Sequence, residues 1–472
     1  MDMHTNMDAL VQHALVLKAT LEEHWLGLLG LFAAFLLFHF VIYPLFLSPL
    51  SNIPGPKLAA LSSWYLNSRY ILECGSSHIE ELHRQYGPIV RVGPSEVVVN
   101  DVKHLPTIYG VSSNFPKPPA SEIFKNFGYP CAFSSRHKNE HRERRKVTAK
   151  IYTMSTVLGN TLLKDFIQDR LDKVVELIDQ KAGAATDLFS LAIRFALDNV
   201  SYIVFGGSFM SLDGQNLEAA SFIRNAAVVS TPVYRLWDSL IGNILLSTWP
   251  FNRMLPTDLQ TALSGNFDDL DKVVKKNFDQ SVVHSSEPSR QSSAFGCMYG
   301  QATFGKKLLE GHVLSECCDH IGAGADTTGA SIIYMMHTLA LPENQKYQDR
   351  LREEIMTLSY PFSFKDVCNL PFMECCSREI LRIRSPGPGN IQQRYTPTST
   401  TLTIGDKVYH LPENTQIGTQ AFSLHRSVDI YGDDANEFRP ERWETGDEQR
   451  LRIMKDAWIP FGYGSRICLG MK

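Results

Sequence analysis

Hydrophobic and polar positions follow a helical period over most of the chain. Apolar residues recurring at i, i+3 and i+4 predict amphipathic helices. The predicted helices cover residues 75–86, 136–150, 156–182, 187–205, 257–283, 308–340, 343–358 and 373–384. Short alternating runs predict two hairpins, 89–92 with 97–99 and 401–404 with 407–410. Residues 284–304, rich in Ser, Gln and Gly, predict a surface loop. We therefore expect a mainly α fold with a small β part.

The N-terminal region contains one long apolar stretch, 25–47, without a single Asp, Glu, Lys or Arg. As a helix it would span about 35 Å, enough to cross the ~30 Å hydrocarbon core of a bilayer. Trp25 and Tyr43 could lie at the two interfaces. A secretory signal would have a shorter apolar region and a more basic front, and a buried core helix is the other alternative. We expect a single-pass membrane anchor.

The anchor is followed by a proline-rich segment, 48–57, with three prolines around Gly55. Proline removes backbone donors and favours extended conformations, so this segment predicts a stiff hinge. No internal repeat divides the remaining chain. We therefore expect residues 58–472 to form one domain.

The global charge and the cysteines exclude several classes of protein. The 46 basic and 50 acidic residues give a net charge of −4, which does not favour a nucleic-acid partner. The nine cysteines are odd in number and scattered, and their adjacent pairs lack CxxC spacing. Reduced thiols on the cytosolic side of the membrane fit this pattern best.

Candidate chemistry lies in a glycine-rich loop, 461–470. Three glycines in ten residues allow the backbone to approach a flat ligand closely. Backbone N–H groups turned toward the sulfur of Cys468 would stabilise a thiolate, and Arg466 could bind a carboxylate of the same ligand. The alternative is a glycine-rich turn with an incidental buried cysteine.

The loop sequence FGYGSRICLG resembles the FxxGxRxCxG signature of the cytochrome P-450 superfamily at every fixed position. The resemblance implies a cytochrome P-450 fold with one N-terminal transmembrane helix. It also implies a haem b whose iron has Cys468 as its axial thiolate, the only protein metal ligand expected. Arg466 would bind a haem propionate, and Phe461 and Gly462 would belong to the haem-binding loop.

A second motif, 323–328, reads AGADTT within a long apolar helix. A glycine, an acid and two hydroxyls are locally unfavourable inside a helix. One alternative is a crossing site for another helix. The motif resembles the oxygen-activation motif of the same family, which implies that the glycine leaves room for dioxygen. Thr327 would then hydrogen-bond to the oxygen and Asp326 would relay protons, so these two are the predicted catalytic residues.

Further family motifs follow in the expected order. Glu379 and Arg382 lie three apart on a predicted helix, as in many surface pairs. With the downstream segment FRPERW they resemble the family's ExxR helix and its partner segment. The resemblance implies a buried charge network of Glu379, Arg382 and Arg442, which stabilises the fold and performs no chemistry.

A basic predicted helix contains His141 and Arg145. Most of its charges could form a solvated face, or a docking face for an electron donor. Compared with the family's WxxxR helix, Arg145 would bind a haem propionate, and His141 replaces the usual tryptophan. Arg394 matches a further arginine that often binds a propionate.

The resemblance covers nearly the whole chain and is greatest to fungal microsomal members, which are often associated with secondary metabolism. It implies a monooxygenase that inserts one oxygen atom from O2 into a lipophilic small molecule. Electrons would come from NADPH through a flavoprotein, NADPH-cytochrome P-450 reductase. The catalytic domain, 58–472, would face the cytosol from the endoplasmic reticulum, with 1–24 in the lumen.

The resemblance also implies which stretches shape the substrate pocket: 110–133, 206–250, the helix surface around His320 and Ile321, and 388–391. These stretches are mostly apolar or loop-like, so they indicate only a lipophilic substrate.

Family members normally continue past the cysteine loop into a long helix, whereas four residues follow Cys468 here. The expectation is that the C-terminal end of the domain is missing. This leaves a rival interpretation, a catalytically silent, membrane-anchored remnant. A third possibility keeps the haem but makes the protein an isomerase, dehydratase or peroxygenase. The pair Asp326 and Thr327 argues against that third class, because those reactions do not need the same proton relay.

Overall fold

The computed structural model describes residues 24–25, 27–72, 74–221, 223, 267–301, 310–359, 362–387, 389 and 392–471. The first part of the predicted helix 257–283 lies outside the described residues. The same holds for most of the two stretches 206–250 and 388–391, which were expected to shape the substrate pocket.

Helices dominate the part of the chain before residue 302. They are α1 (Gly27–Leu47), α2 (Lys57–Leu61), α3 (Trp64–Ile71), α4 (Gly75–Tyr86), α5 (Leu105–Tyr109), α6 (Lys138–Thr148), α7 (Met154–Gly159), α8 (Thr161–Asp179), α9 (Leu188–Phe205), α10 (Phe267–Val283), α11 (Pro288–Gln291) and α12 (Ala294–Gln301). The C-terminal part contains α13 (Glu310–Ala340), α14 (Gln345–Ile355), α15 (Phe364–Cys368), α16 (Pro371–Ile383), α17 (Ala421–Leu424), α18 (Val428–Tyr431) and α19 (Glu448–Asp456). The expectation of a mainly α fold with a small β part is confirmed.

In the part of the chain that the structure describes, six strands form two sheets: β1 (Ile89–Gly93), β2 (Glu96–Val99), β3 (Arg394–Tyr395), β4 (Thr400–Ile404), β5 (Lys407–Leu411) and β6 (Gln416–Gly418). The first sheet has the order β1-β2-β6-β3, with β2 and β6 parallel and the other neighbours antiparallel. The second sheet is the hairpin β4-β5. Both predicted hairpins are present. The short strands β3 and β6 were not predicted, because they have too few residues to show an alternating pattern.

Helix α1 is long and apolar enough to cross a membrane, and none of its apolar window is buried in the protein. Its second half, Phe38–Leu47, is a π-helix with Pro44 inside, a residue that cannot donate a backbone hydrogen bond. Helix α9 is also long and apolar enough, but half of it is buried. Burial therefore separates a helix of the protein core, α9, from one whose apolar window is not buried in the described part of the chain, α1.

Helix α13 packs along α9 in the centre of the domain. A Cβ atom at Gly324 would lie 2.6 Å from Cγ2 of Val200, and one at Gly329 would lie 2.6 Å from Cδ1 of Ile193. Both glycines thus allow the two backbones to approach closely. The sequence left open that Gly324 is part of a crossing site for another helix. The contact with Val200 agrees with that alternative, because α9 leaves no room for a side chain at Gly324.

Two predictions about helices need correction. The predicted helix 156–182 is divided at Asn160, whose side chain accepts a hydrogen bond from the N–H of Leu163 and caps α8. The predicted surface loop 284–304 is wrong, because it contains α11 and α12. Its small polar residues obscured three core side chains, Ala294, Phe295 and Met298, which are at most 2% exposed. Packing of these side chains overrides the weak local helix propensity.

Candidate active site

The loop around Cys468 is held by its own backbone. The N–H of Cys468 donates to the carbonyl oxygen of Phe461 at 2.9 Å, and the N–H of Gly462 donates to that of Ile459 at 3.0 Å. Gly462 and Gly464 have φ values of +79° and +71°, a region that favours glycine. The loop turns tightly, as its glycines predicted.

Neighbouring loops leave no room for side chains at these two glycines. A Cβ atom at Gly464 would overlap the carbonyl oxygen of Tyr109, and one at Gly462 would lie 2.5 Å from Nε2 of Gln392. The loop therefore lies directly against the end of α5 and the chain entering β3.

Cys468 is exposed, and neighbouring charged and polar groups shift the pKa of its thiol. The surrounding protein desolvates the sulfur and raises its pKa, whereas the backbone N–H of Gly470 and the guanidinium of Arg145 lower it. Asp319 on α13 opposes ionisation. Nη1 of Arg145 donates to the carbonyl oxygen of Ile467 at 2.5 Å. Arg145 thus contacts the cysteine loop directly, a contact that the sequence did not indicate.

Two arginines assigned from the sequence are anchored by main-chain carbonyls. Arg466 donates to the carbonyl oxygens of Ser135 and Arg136 at 2.8 and 2.9 Å. Burial and the nearby charge of Arg394 lower the pKa of Arg466 to about 9. Arg394 is 2% exposed and donates to the carbonyl oxygen of Gln393 at 2.8 Å. These carbonyl acceptors fix both guanidinium groups without neutralising their charge.

A third buried cation, Lys117, joins this group. Its Nζ donates to the carbonyl oxygen of Phe133 at 2.5 Å and lies 3.6 Å from the centre of the Phe133 ring. Burial, with the charges of Arg394 and Arg466, holds the pKa of Lys117 well below its usual value. Lys117 was not among the predicted site residues, because a single lysine in a loop rich in proline matches no motif.

The imidazole of His141 lies among these cations. Burial and the charges of Arg466, Arg145, Lys117 and Arg394, in that order, lower its pKa to about 3. His141 is therefore neutral at pH 7. Three arginines and Lys117, from four separate segments, disfavour one another's charged forms here, so an anionic ligand would stabilise the group. A flat ligand with carboxylates and an iron for Cys468, such as haem, fits this donor set.

The predicted catalytic pair lies on α13. The hydroxyl of Thr327 is exposed and donates to the carbonyl oxygen of Ala323 at 2.8 Å. Burial raises the pKa of Asp326 to about 6. These contacts stay within α13. Asp319 lies two turns earlier on α13, and its charge raises the pKa of Cys468. This part of α13 therefore lies near the cysteine loop.

The expected charge network is present and fully buried. Glu379 Oε1 accepts from Nη2 of Arg382 and Nε of Arg442, both at 2.8 Å. Its Oε2 accepts from Nε1 of Trp443 at 2.9 Å. Arg382 also donates to main-chain carbonyls beyond α17 and α18, including that of Ala435. The network joins α16 to the segment before α19 and therefore supports the chain leading into the cysteine loop.

Comparisons with known proteins agree with this fold. Residues 69–472 match the model of the family Cytochrome P-450. The chain is 29% identical to cytochrome P-450 monooxygenase orf6 of Eupenicillium brefeldianum, covering 94% of this chain and 88% of that protein. It is 27% identical to pisatin demethylase of Fusarium vanettenii, covering 91% and 82%. A solved zebrafish cytochrome P-450 with progesterone has 18% identity and a TM-score of 0.63, covering 84% of this chain and 88% of that chain.

The chain therefore belongs to the cytochrome P-450 family. It is a monooxygenase of the oxidoreductase class, and the family implies a haem-thiolate iron cofactor.

Proposed function

We propose that this chain inserts one oxygen atom from O2 into a lipophilic small molecule, using haem b held by the thiolate of Cys468. The observation that carries the proposal is the convergence of Arg394, Arg466, Arg145 and Lys117 around His141, with the charge of Arg145 acting on the thiol of the exposed Cys468. When bound, the haem iron supplies the activation of dioxygen. Electrons come from NADPH through NADPH-cytochrome P-450 reductase.

The loop and its neighbours hold the cofactor. Arg466 and Arg394 bind the haem carboxylates, and Lys117 adds a third cation that the family motifs did not supply. Phe461 and the narrow backbone at Gly462 accept the flat ring. Arg145 acts on the thiolate through its charge and through its bond to Ile467, in addition to the predicted contact with a propionate.

Asp326 and Thr327 deliver protons during the reaction. A carboxyl group whose pKa is about 6 exchanges protons readily near neutral pH. The hydroxyl of Thr327, exposed on the helix surface, can donate a hydrogen bond and receive a proton in return. The pair suits oxygen insertion better than isomerisation or dehydration, which need no such relay.

The environment of the enzyme follows from α1 and from the relatives. We propose that α1 anchors the chain in the endoplasmic reticulum membrane, with residues 1–24 lumenal and the domain 58–472 cytosolic. A membrane location suits a lipophilic substrate, which partitions into the bilayer. The resemblance to fungal monooxygenases supports a role in secondary metabolism.

A carbon monoxide difference spectrum of the dithionite-reduced protein tests the thiolate. We expect a strongly red-shifted Soret band, lost in Cys468→Ser and kept in Cys368→Ser, which alters an exposed cysteine on α15. An unshifted or absent band in the unmodified protein would contradict the proposal and favour the silent remnant.

Thr327→Ala tests the proton relay. We expect this variant to consume NADPH while releasing peroxide instead of product. Thr327→Ser keeps the hydroxyl and should keep the coupling of NADPH consumption to product. Full coupling in Thr327→Ala would remove Thr327 from the proposed relay.

A further inference from the structure

Three potential metal ligands lie together on α13, and none of them belongs to the cysteine loop. The side chains of Glu316, Asp319 and His320 each offer one ligand atom, and these atoms all lie within 4.8 Å of one another. Their spacing of i, i+3 and i+4 places them on one side of the helix. A histidine four residues from another ligand on a helix is a spacing that metal sites use.

Two of these side chains are buried, and each has at least one polar atom without a hydrogen-bond partner. The side chains of Glu316 and His320 are 7% and 8% exposed, and Nε2 of His320 lies 3.9 Å from Oε2 of Glu316. Both carboxylate oxygens of Glu316 and Nε2 of His320 lack a hydrogen bond. Buried polar atoms are costly in this state, and a bound cation would satisfy Nε2 of His320 and one oxygen of Glu316.

The histidine ring is already oriented by a second residue. The hydroxyl of Tyr152 lies 2.9 Å from Nδ1 of His320, and the two rings are nearly perpendicular. When Nδ1–H donates to the Tyr152 oxygen, the lone pair on Nε2 points toward Glu316. Such a hydrogen bond to the far nitrogen is the usual support of a metal-binding histidine.

We propose that Glu316, Asp319 and His320 bind one divalent zinc ion. One imidazole nitrogen and two carboxylate oxygens are ligands that Zn²⁺ accepts, with water in the fourth position. Two cations compete with a metal ion here: Nη1 of Arg144 lies 3.7 Å from Oε1 of Glu316, beyond hydrogen-bond distance, and the charge of Lys117 acts on Asp319. The site adjoins the cysteine loop, because Asp319 also acts on the thiol of Cys468 through its charge, but none of its three ligands belongs to that loop. The proposal does not depend on the proposed function.

Zinc binding can be measured on the full-length, haem-loaded protein. After treatment with chelator, the protein is dialysed against Zn²⁺ alone, and bound zinc is counted by elemental analysis. We expect one zinc ion per chain, and at least a tenfold loss of affinity in both His320→Gln and Glu316→Gln. Tyr152→Phe should weaken binding about tenfold, as loss of an outer-shell partner does.

A matched control is the exposed pair His284 and Glu287, whose side chains are 3.1 Å apart. His284→Gln should leave zinc binding unchanged. Circular dichroism and the Soret band show whether each variant keeps its fold, and X-ray absorption at the zinc edge identifies the ligand atoms.

Three outcomes would overturn the proposal. One is the absence of zinc binding to a folded protein, and another is equal affinity in the His320→Gln and unmodified chains, which means an adventitious ion only. The third is sulfur in the zinc coordination shell, which would assign the ion to thiols such as that of Cys131 or Cys468.

Discussion

The guanidinium of Arg145 donates a hydrogen bond to the main-chain carbonyl of Ile467, the residue before Cys468, at 2.5 Å. The same charge lowers the pKa of the Cys468 thiol. Helix α6 therefore both positions the cysteine loop and favours the thiolate. This relationship joins residues 322 positions apart, and the pattern of charges along α6 did not indicate it.

Arg145→Gln should therefore weaken the thiolate. Loss of the positive charge raises the pKa of Cys468, so the thiolate becomes protonated at a higher pH as the solution is acidified. The red-shifted Soret band of the reduced carbon monoxide complex should therefore be lost at a higher pH than in the unmodified protein. Loss of the hydrogen bond from a charged donor should also cost about 2 kcal/mol of stability. Arg142→Gln, at an exposed position of the same helix, is the control. An unchanged pH midpoint in Arg145→Gln would contradict the role of its charge.

Glu379→Gln should strongly destabilise the domain. The change removes the charge that balances Arg382 and Arg442, which are almost completely buried. Breaking a buried network by removing one partner typically costs about 3 to 5 kcal/mol. Urea unfolding, followed by circular dichroism, measures the loss.

The control for Glu379→Gln is Glu374→Gln on the same helix. Glu374 pairs with Arg378, but its side chain is 56% exposed. Exposed pairs contribute between about 0 and 1 kcal/mol, so this variant should unfold close to the unmodified protein. Equal effects of the two substitutions would mean that burial of the network does not matter.

Gly464→Ala should disrupt the cysteine loop. The added methyl group would overlap the Tyr109 carbonyl, and alanine is strained at a φ of +71°. We expect a loss of about 2 kcal/mol or more, and reduced haem content. Gly446→Ala is the control, because no heavy atom lies within 4 Å of its added Cβ. Haem content by absorption and unfolding by urea measure both variants, and normal values for Gly464→Ala would contradict the close approach of α5.

Asp326 should make stability depend on pH. Burial raises its pKa to about 6, above the value of about 3.9 in an unfolded chain. The folded protein therefore keeps a proton that the unfolded chain releases. The contribution of this group is fully present below about pH 4 and is lost as the pH rises through about 6.

Asp326→Asn removes that pH dependence. Relative to the unmodified protein, the variant should gain about 3 kcal/mol of stability above pH 6 and should show little difference near pH 4. Urea unfolding at several pH values measures the difference. Asp433→Asn, at an exposed position, should show no such trend. A constant difference between Asp326→Asn and the unmodified protein across this range would exclude a raised pKa.

Local sequence patterns predicted most elements of the fold. Helical periodicity indicated α4, α9 and α13 to within two residues of their bounds, and turn residues indicated both hairpins. The prediction of a surface loop at 284–304 was wrong, because polar residues in this segment outnumber the few side chains that enter the core. The strands β3 and β6 exist because they pair with distant partners, and such pairing leaves no trace in a short segment.

Residue types at fixed spacings, or one continuous segment, were enough to predict the family signature and the apolar helix α1, and the family resemblance implied the buried network of Glu379, Arg382 and Arg442. The groups that surround Cys468 became known only from the packed structure. Lys117 and Arg145 reach that loop because separate loops and helices pack together, and the glycines of α13 meet α9 for the same reason. Contacts between distant segments follow from packing of the whole chain, which no local pattern encodes.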